Sequence, residues 1–165
     1  MEAVSVWDFH PDPSATSIED AEYVIQRHRM NRQQLRNLIS LPYFYREAIE
    51  ECLAKGSNYE EKYYENTIRD EDTEPAHVDN RYEVLEYWGV LDAKFAGEIG
   101  LDTPDNMTEL DQVQINAWVC GNHVLRCVLN PFTPARIPYQ VIPYEVHPYQ
   151  VWGVGVAENM EDAQM

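Results

Sequence analysis

Asp70, Asp72 and Glu74 occupy alternate positions, the spacing of the first oxygen ligands of a calcium-binding loop. The rest of that loop is missing. Pro75 stands sixth, where the sharp turn needs glycine, and Arg81 stands twelfth, where a bidentate glutamate closes the site. A solvated acidic loop is the simpler reading. The five histidines, His10, His28, His77, His123 and His147, lie far apart and form neither an HExxH pair nor a Cys-His set with zinc spacing. Residues 152 to 158 read WGVGVAE, which supplies two glycines of a dinucleotide fingerprint but puts Glu158 at the third. A carboxylate there would oppose a pyrophosphate, so Gly153 and Gly155 are expected to serve a sharp turn into a helix. No GxSxG, Walker or kinase signature occurs, and no Ser, Thr or Cys stands in a nucleophile context. No catalytic, cofactor-binding or metal-ligating residue is assigned.

Charge carries more information than any motif. The 165 residues hold 12 basic and 29 acidic side chains, a formal net charge of −17. Such a surface repels phosphate backbones and anionic lipid headgroups, which disfavours conventional nucleic-acid or membrane binding. Residues 1–56 hold 6 basic and 9 acidic groups, 57–111 hold 4 and 16, and 112–165 hold 2 and 4. The excess therefore sits in the middle third, densest from Tyr59 to Asn80. The one basic cluster is Arg27, Arg29, Arg32 and Arg36, suited either to balancing the acids of its own fold or to meeting those of a neighbouring subunit. A hydrophobic fraction of 44% with 11 Tyr and 4 Trp is enough for a folded domain. Cys52, Cys120 and Cys127 are an odd, sparse set, unlike a secreted disulfide framework, and fit a reducing compartment. The N-terminus lacks an export signal, and no 18 apolar residues run together.

The pattern predicts an α+β fold in three portions: an N-terminal α+β portion at 1–56, an acidic linker or loop at 57–80, and a mainly β portion at 81–165 leading into a C-terminal helix. Val4 to Phe9 reads as a short strand stopped by Pro11-Asp12-Pro13. Alternation from Glu22 to Met30 suits a strand, although Ser17 with Asp20 would suit a helix cap over the same residues. Asn31 and Gln34 form a capping-box pair ahead of the apolar stripe Leu35, Leu38 and Ile39, which predicts a short helix ending before Pro42. A second helix is expected from Tyr45 to Lys55, with Ala48, Ile49, Cys52 and Leu53 on one face and Gly56 closing it. The helical hairpin should pack on a sheet. Tyr82 to Trp88 alternate as a strand, and Asp92 is placed to cap a helix through Glu98. Val113–Cys120 and His123–Asn130 flank Gly121-Asn122, a two-residue hairpin turn. In that register Trp118 faces Leu125, Cys120 and Cys127 are not paired, and apolar residues on both faces predict a hairpin covered on both sides. Five prolines between Pro131 and Pro148 call for extended or turn segments. Ala157 to Met165 reads as the start of a helix cut short, and the chain as a piece of a longer one.

Several stretches taken in order resemble the portal proteins, or head-to-tail connectors, of tailed bacteriophages, short-tailed ones especially. VSVWDFHPDPSATSIEDAEYVIQRHRMNRQQLRNL resembles a segment of that family comprising a strand, a DP turn, a short acidic helix, an alternating strand and a helix rich in Gln and Leu. YEVLEYWG, WVCGNHVLRCVLNPF and PYQVIPYEVHPYQVWGVGVAENMEDAQ follow in the family's order. The resemblance implies a structural, non-enzymatic subunit with no cofactor. In the full protein it would form a ring, usually of twelve subunits, at the capsid vertex of a phage or prophage. It implies contacts with itself, terminase, capsid or scaffolding proteins and tail adaptors, passage of DNA without sequence-specific binding, and assembly into the virion from the host cytoplasm.

Two other classes compete. An acidic binding module imitating nucleic acid is motivated by the −17 charge. A carboxylate-dependent hydrolase is motivated by the abundance of acids and would need carboxylates and a histidine converging in one pocket.

Overall fold

A computed structural model describes residues 2–59, 80–103, 107–108 and 111–161. The fold is α+β: a mainly antiparallel five-stranded sheet with several short helices. The strands are β1 (Phe9–Pro11), β2 (Tyr23–Asn31), β3 (Arg81–Asp92), β4 (Gln112–Cys120) and β5 (His123–Leu129), hydrogen-bonded in the order β1-β2-β3-β4-β5. The helices are α1 (Arg32–Asn37), α2 (Arg46–Lys55), α3 (Ala93–Glu98) and α4 (Val156–Glu161). The chain divides into two compact units. One comprises Met1–Ile25, Trp88–Ile115 and Leu129–Met165; the other comprises Gln26–Tyr87 and Asn116–Val128.

In the second unit, β2 passes directly into α1 through the expected capping box. The Asn31 side chain accepts from the Gln34 amide at 2.8 Å, and the Gln34 side chain accepts from the Asn31 amide at 2.8 Å. Two donors at a helix start are thus satisfied without solvent, worth about 1 kcal/mol for the cap side chain. A single 3-10 turn, Leu38–Ser40, extends α1 before Pro42. α2 then starts after Tyr45, whose amide donates to the Leu125 carbonyl at 2.8 Å. Gly56 ends it at φ 95°, a conformation that favours glycine. Leu35, Leu38, Ile49 and Cys52 from the helices bury against Tyr82, Val84, Cys120 and Leu125 of β3, β4 and β5, with Ala48, Leu53 and Trp118 packed around them. Each fully buried Leu or Ile here contributes about 1.5–3 kcal/mol relative to exposure.

In the first unit, Phe9, Ala15, Ile18, Val24 and Val151 form a separate core, flanked by Ile137, Tyr139 and Val141. Asp12, between its two prolines, organises the turn after β1. Its carboxylate accepts from the Ser14 amide at 2.8 Å, the Ser14 hydroxyl at 2.7 Å and the Glu22 amide at 3.3 Å. These bonds, the Ser14 hydroxyl's first, hold the Asp12 carboxyl below its usual range.

Four expectations are corrected. Val6–Asp8 is a 3-10 turn capped by Ser5, whose Oγ accepts from the Trp7 amide at 3.3 Å, so the first strand is only Phe9–Pro11. The short acidic helix implied by the resemblance is a series of turns and bends over 13–20, tied by Ala21 N to Ile18 O and Asp20 N to Ser17 Oγ, both 3.3 Å. α3 forms where expected, but Asp92 makes no side-chain cap. Finally, among the described residues β5 ends the strand order and Val124 is 47% exposed, so the hairpin lies at an edge and is not covered on both sides. Apolar alternation cannot distinguish an edge from an interior strand, because pairing depends on which other strands arrive.

Candidate functional site

Asp70, Asp72 and Glu74 lie outside the described residues, as does His77. Among the described residues, no group of three or more His, Cys, Asp or Glu is placed to hold a metal ion. His123 contacts Glu51 at 3.1 Å, and His147 Nδ1 accepts from the Tyr149 amide at 3.3 Å. Among the described residues, no helix is long and apolar enough to cross a membrane.

Cys52, Cys120 and Cys127 are free and buried. The Cys52 thiol donates to the Cys120 carbonyl at 3.6 Å, and the Cys120 thiol reaches Asn58 Oδ1 at 3.9 Å. Burial and the neighbouring Cys52 push Cys120 up to about 12; burial also raises Cys52 and Cys127. Protonated, enclosed thiols are packing groups and not nucleophiles.

Alternation in β2, β3 and β4 brings together a polar cluster that the sequence did not reveal. His28 Nε2 meets Glu86 Oε2 at 2.9 Å, and Asn116 Nδ2 donates to Glu86 Oε1 at 3.1 Å. The His28 ring stacks on Trp118 at 4.8 Å and 12°, and Phe44 meets the same indole edge-on at 5.4 Å. The cluster links three strands around one carboxylate and offers no Ser, Thr or Cys to activate. Only β-strand register could have exposed it, and register is not written in any one strand.

The arginines separate. Arg27 is buried, with its guanidinium 5.9 Å from the Tyr59 ring centroid, so it belongs to the fold. Arg29 is exposed on β2. Arg32 and Arg36 instead join Arg46, distant in sequence, around an open groove of about 570 Å³ between α1 and α2, with Ile39, Leu53 and Ala54 as apolar lining.

The WGVG turn works differently from expectation. Neither Gly153 nor Gly155 has positive φ. Gly153 is required because a Cβ there would overlap the Glu145 carbonyl oxygen and Pro143 Cβ, whereas Gly155 has nothing nearby. This close approach accompanies an antiparallel bridge, Val154 N to Glu145 O at 2.9 Å. The bridged segment presents Ile142, Tyr144 and Val146 at 84%, 75% and 76% exposure, an apolar row on alternate residues that points away from any core.

The exposed apolar row and the arginine-lined groove are the surface features that the described residues present. The family model for phage SU10 portal protein matches residues 1–165. The chain belongs to the phage SU10 portal protein family. Portal-family membership gives it a phage portal role, as a virion component that assembles with other phage proteins. The portal protein family is structural rather than enzymatic. No curated protein matches the chain.

Proposed function

We propose that this chain is a structural part of a ring-forming portal subunit at the capsid vertex, through which DNA enters during packaging and leaves during ejection. The family match along the whole chain carries the reading. The exposed row Ile142, Tyr144 and Val146 supports it, since contiguous apolar surface of this kind is typical of surfaces that become buried on association. In the complete protein the ring has about twelve subunits, as the resemblance implies, and offers docking surfaces to terminase, capsid or scaffolding proteins and the tail adaptor. The −17 charge suits a conduit, because a surface that does not attract phosphates lets DNA slide. Assembly takes place in the host cytoplasm. Electron microscopy of the complete gene product tests the reading: rings with a central channel are expected, and a monodisperse monomer at high concentration would overturn it.

A further inference from the structure

Arg32 and Arg36 stand four residues apart on α1, so their guanidiniums share one face. A like-charged pair at this spacing costs helix stability, by about 0.2–0.5 kcal/mol. Among the described residues, neither arginine forms an ion pair, and the third cation of the groove, Arg46, is met only by Glu50 one turn along its own helix, at 2.8 Å. Arg36 is placed at the helix end where a cation is favoured, but Arg32 at the start is not. Three arginines therefore converge on a groove with apolar lining and a single carboxylate, Glu50, in a protein whose overall charge is −17. The counter-charge is available in the chain itself: residues 60–79 hold eight acidic residues against two basic ones, a net charge of −6, with Tyr63, Tyr64 and Ile68 among them.

We propose that the α1–α2 groove docks the acidic segment 60–79 of a second copy of this chain, with carboxylates on Arg32, Arg36 and Arg46 and an apolar side chain against Ile39 and Leu53. Groove and segment are different surfaces, so the contact is heterologous, and contacts of that kind close into rings when the rotation permits. The inference rests on the portal reading for its partner, and on charge complementarity for its site. Nucleic acid is the competing anion, but phosphate would have to approach against the net charge of the whole protein.

The test uses the full chain with two sets of charge reversals. One variant carries Arg32→Glu and Arg36→Glu; the other carries Asp70→Lys, Glu71→Lys and Asp72→Lys. Circular dichroism checks that both fold. Self-association by sedimentation at low salt should fall at least about tenfold for each variant alone and return when the two are mixed. A labelled peptide of residues 60–79 should bind the unchanged chain, lose affinity about tenfold or more between 50 and 500 mM salt, and ignore the arginine variant. Rescue only when both sets of changes are placed in one chain, with the mixture silent, would overturn the proposal in favour of pairing within a chain. Equal peptide binding to the arginine variant, or tighter binding of a DNA oligonucleotide than of the peptide, would also overturn it. Intact rings from a complete subunit carrying the arginine reversals would sink this contact while leaving the portal reading standing.

Discussion

Gly153→Ala, set beside Gly155→Ala, separates two reasons for a glycine. At 153 the added methyl would overlap the Glu145 carbonyl oxygen and Pro143 Cβ, and it would lie 3.3 Å from Pro143 Cα. Proline is stiff and the carbonyl belongs to the backbone, so neither can give way as a flexible side chain would. Overpacking of this kind costs about 1–3 kcal/mol. Moving the Glu145 carbonyl also loosens its 2.9 Å bond from the Val154 amide, worth about 1 kcal/mol more. The expected loss is roughly 2–4 kcal/mol, concentrated on the strap between Pro143 and Val154. At 155 nothing lies within 4 Å and φ is not positive, so alanine should be neutral or stabilise by about 0.4–1 kcal/mol through the unfolded chain. Hydrogen exchange at the Val154 amide is the assay, with thermal unfolding alongside. Faster exchange by about 30-fold or more is expected for Gly153→Ala and little change for Gly155→Ala, since each 1.4 kcal/mol is a factor of ten. Equal behaviour of the two variants would refute the close-approach argument.

Other perturbations probe the packing and the titrating groups. Tyr43 is 72% exposed yet holds φ 68°, so Tyr43→Gly should raise stability by about 1 kcal/mol in urea denaturation; a loss would show that the ring makes an essential contact. Leu35→Ala, at a fully buried position between α1 and the sheet, should cost about 2–5 kcal/mol, and a cost under 1 would contradict the core as described. With Cys120 pushed up to about 12 from 9.0, its thiolate fraction at pH 9 is about 500-fold lower when folded, and alkylation should slow correspondingly. The sign for stability follows: between pH 9 and 12 the unfolded chain loses this proton and the native one keeps it, so stability falls as pH rises. Asp12 runs the other way. Its lowered pKa stabilises the turn above the ordinary carboxylate value, and that contribution disappears as pH falls through the folded value. An NMR titration placing Asp12 at or above 3.8 would reject its hydrogen-bond assignment.

Local chemistry determined much of this protein. Asn31 and Gln34 can start a helix without help, because both partners of the capping box lie within four residues, and Gly56 and Gly121 mark turns that need positive φ at 95° and 58°. The helices of the hairpin and four of the five strands were therefore legible, as was the ordered set of segments that carries the portal family. Only the tertiary structure decided what those elements bring together. His28, Glu86 and Asn116 meet because three strands distant in sequence adopt one register, and a one-residue slip would turn each side chain to the opposite face. β5 is an edge because, among the described residues, no further strand pairs with it in this sheet, a fact outside its own residues. Arg46 joins Arg32 and Arg36 because α2 folds back beside α1, and Gly153 is required because Pro143 and Glu145 return to meet it. Capping, turns and periodicity act over a few residues and are written in order along the chain; register, edges and close approaches depend on what else has already packed.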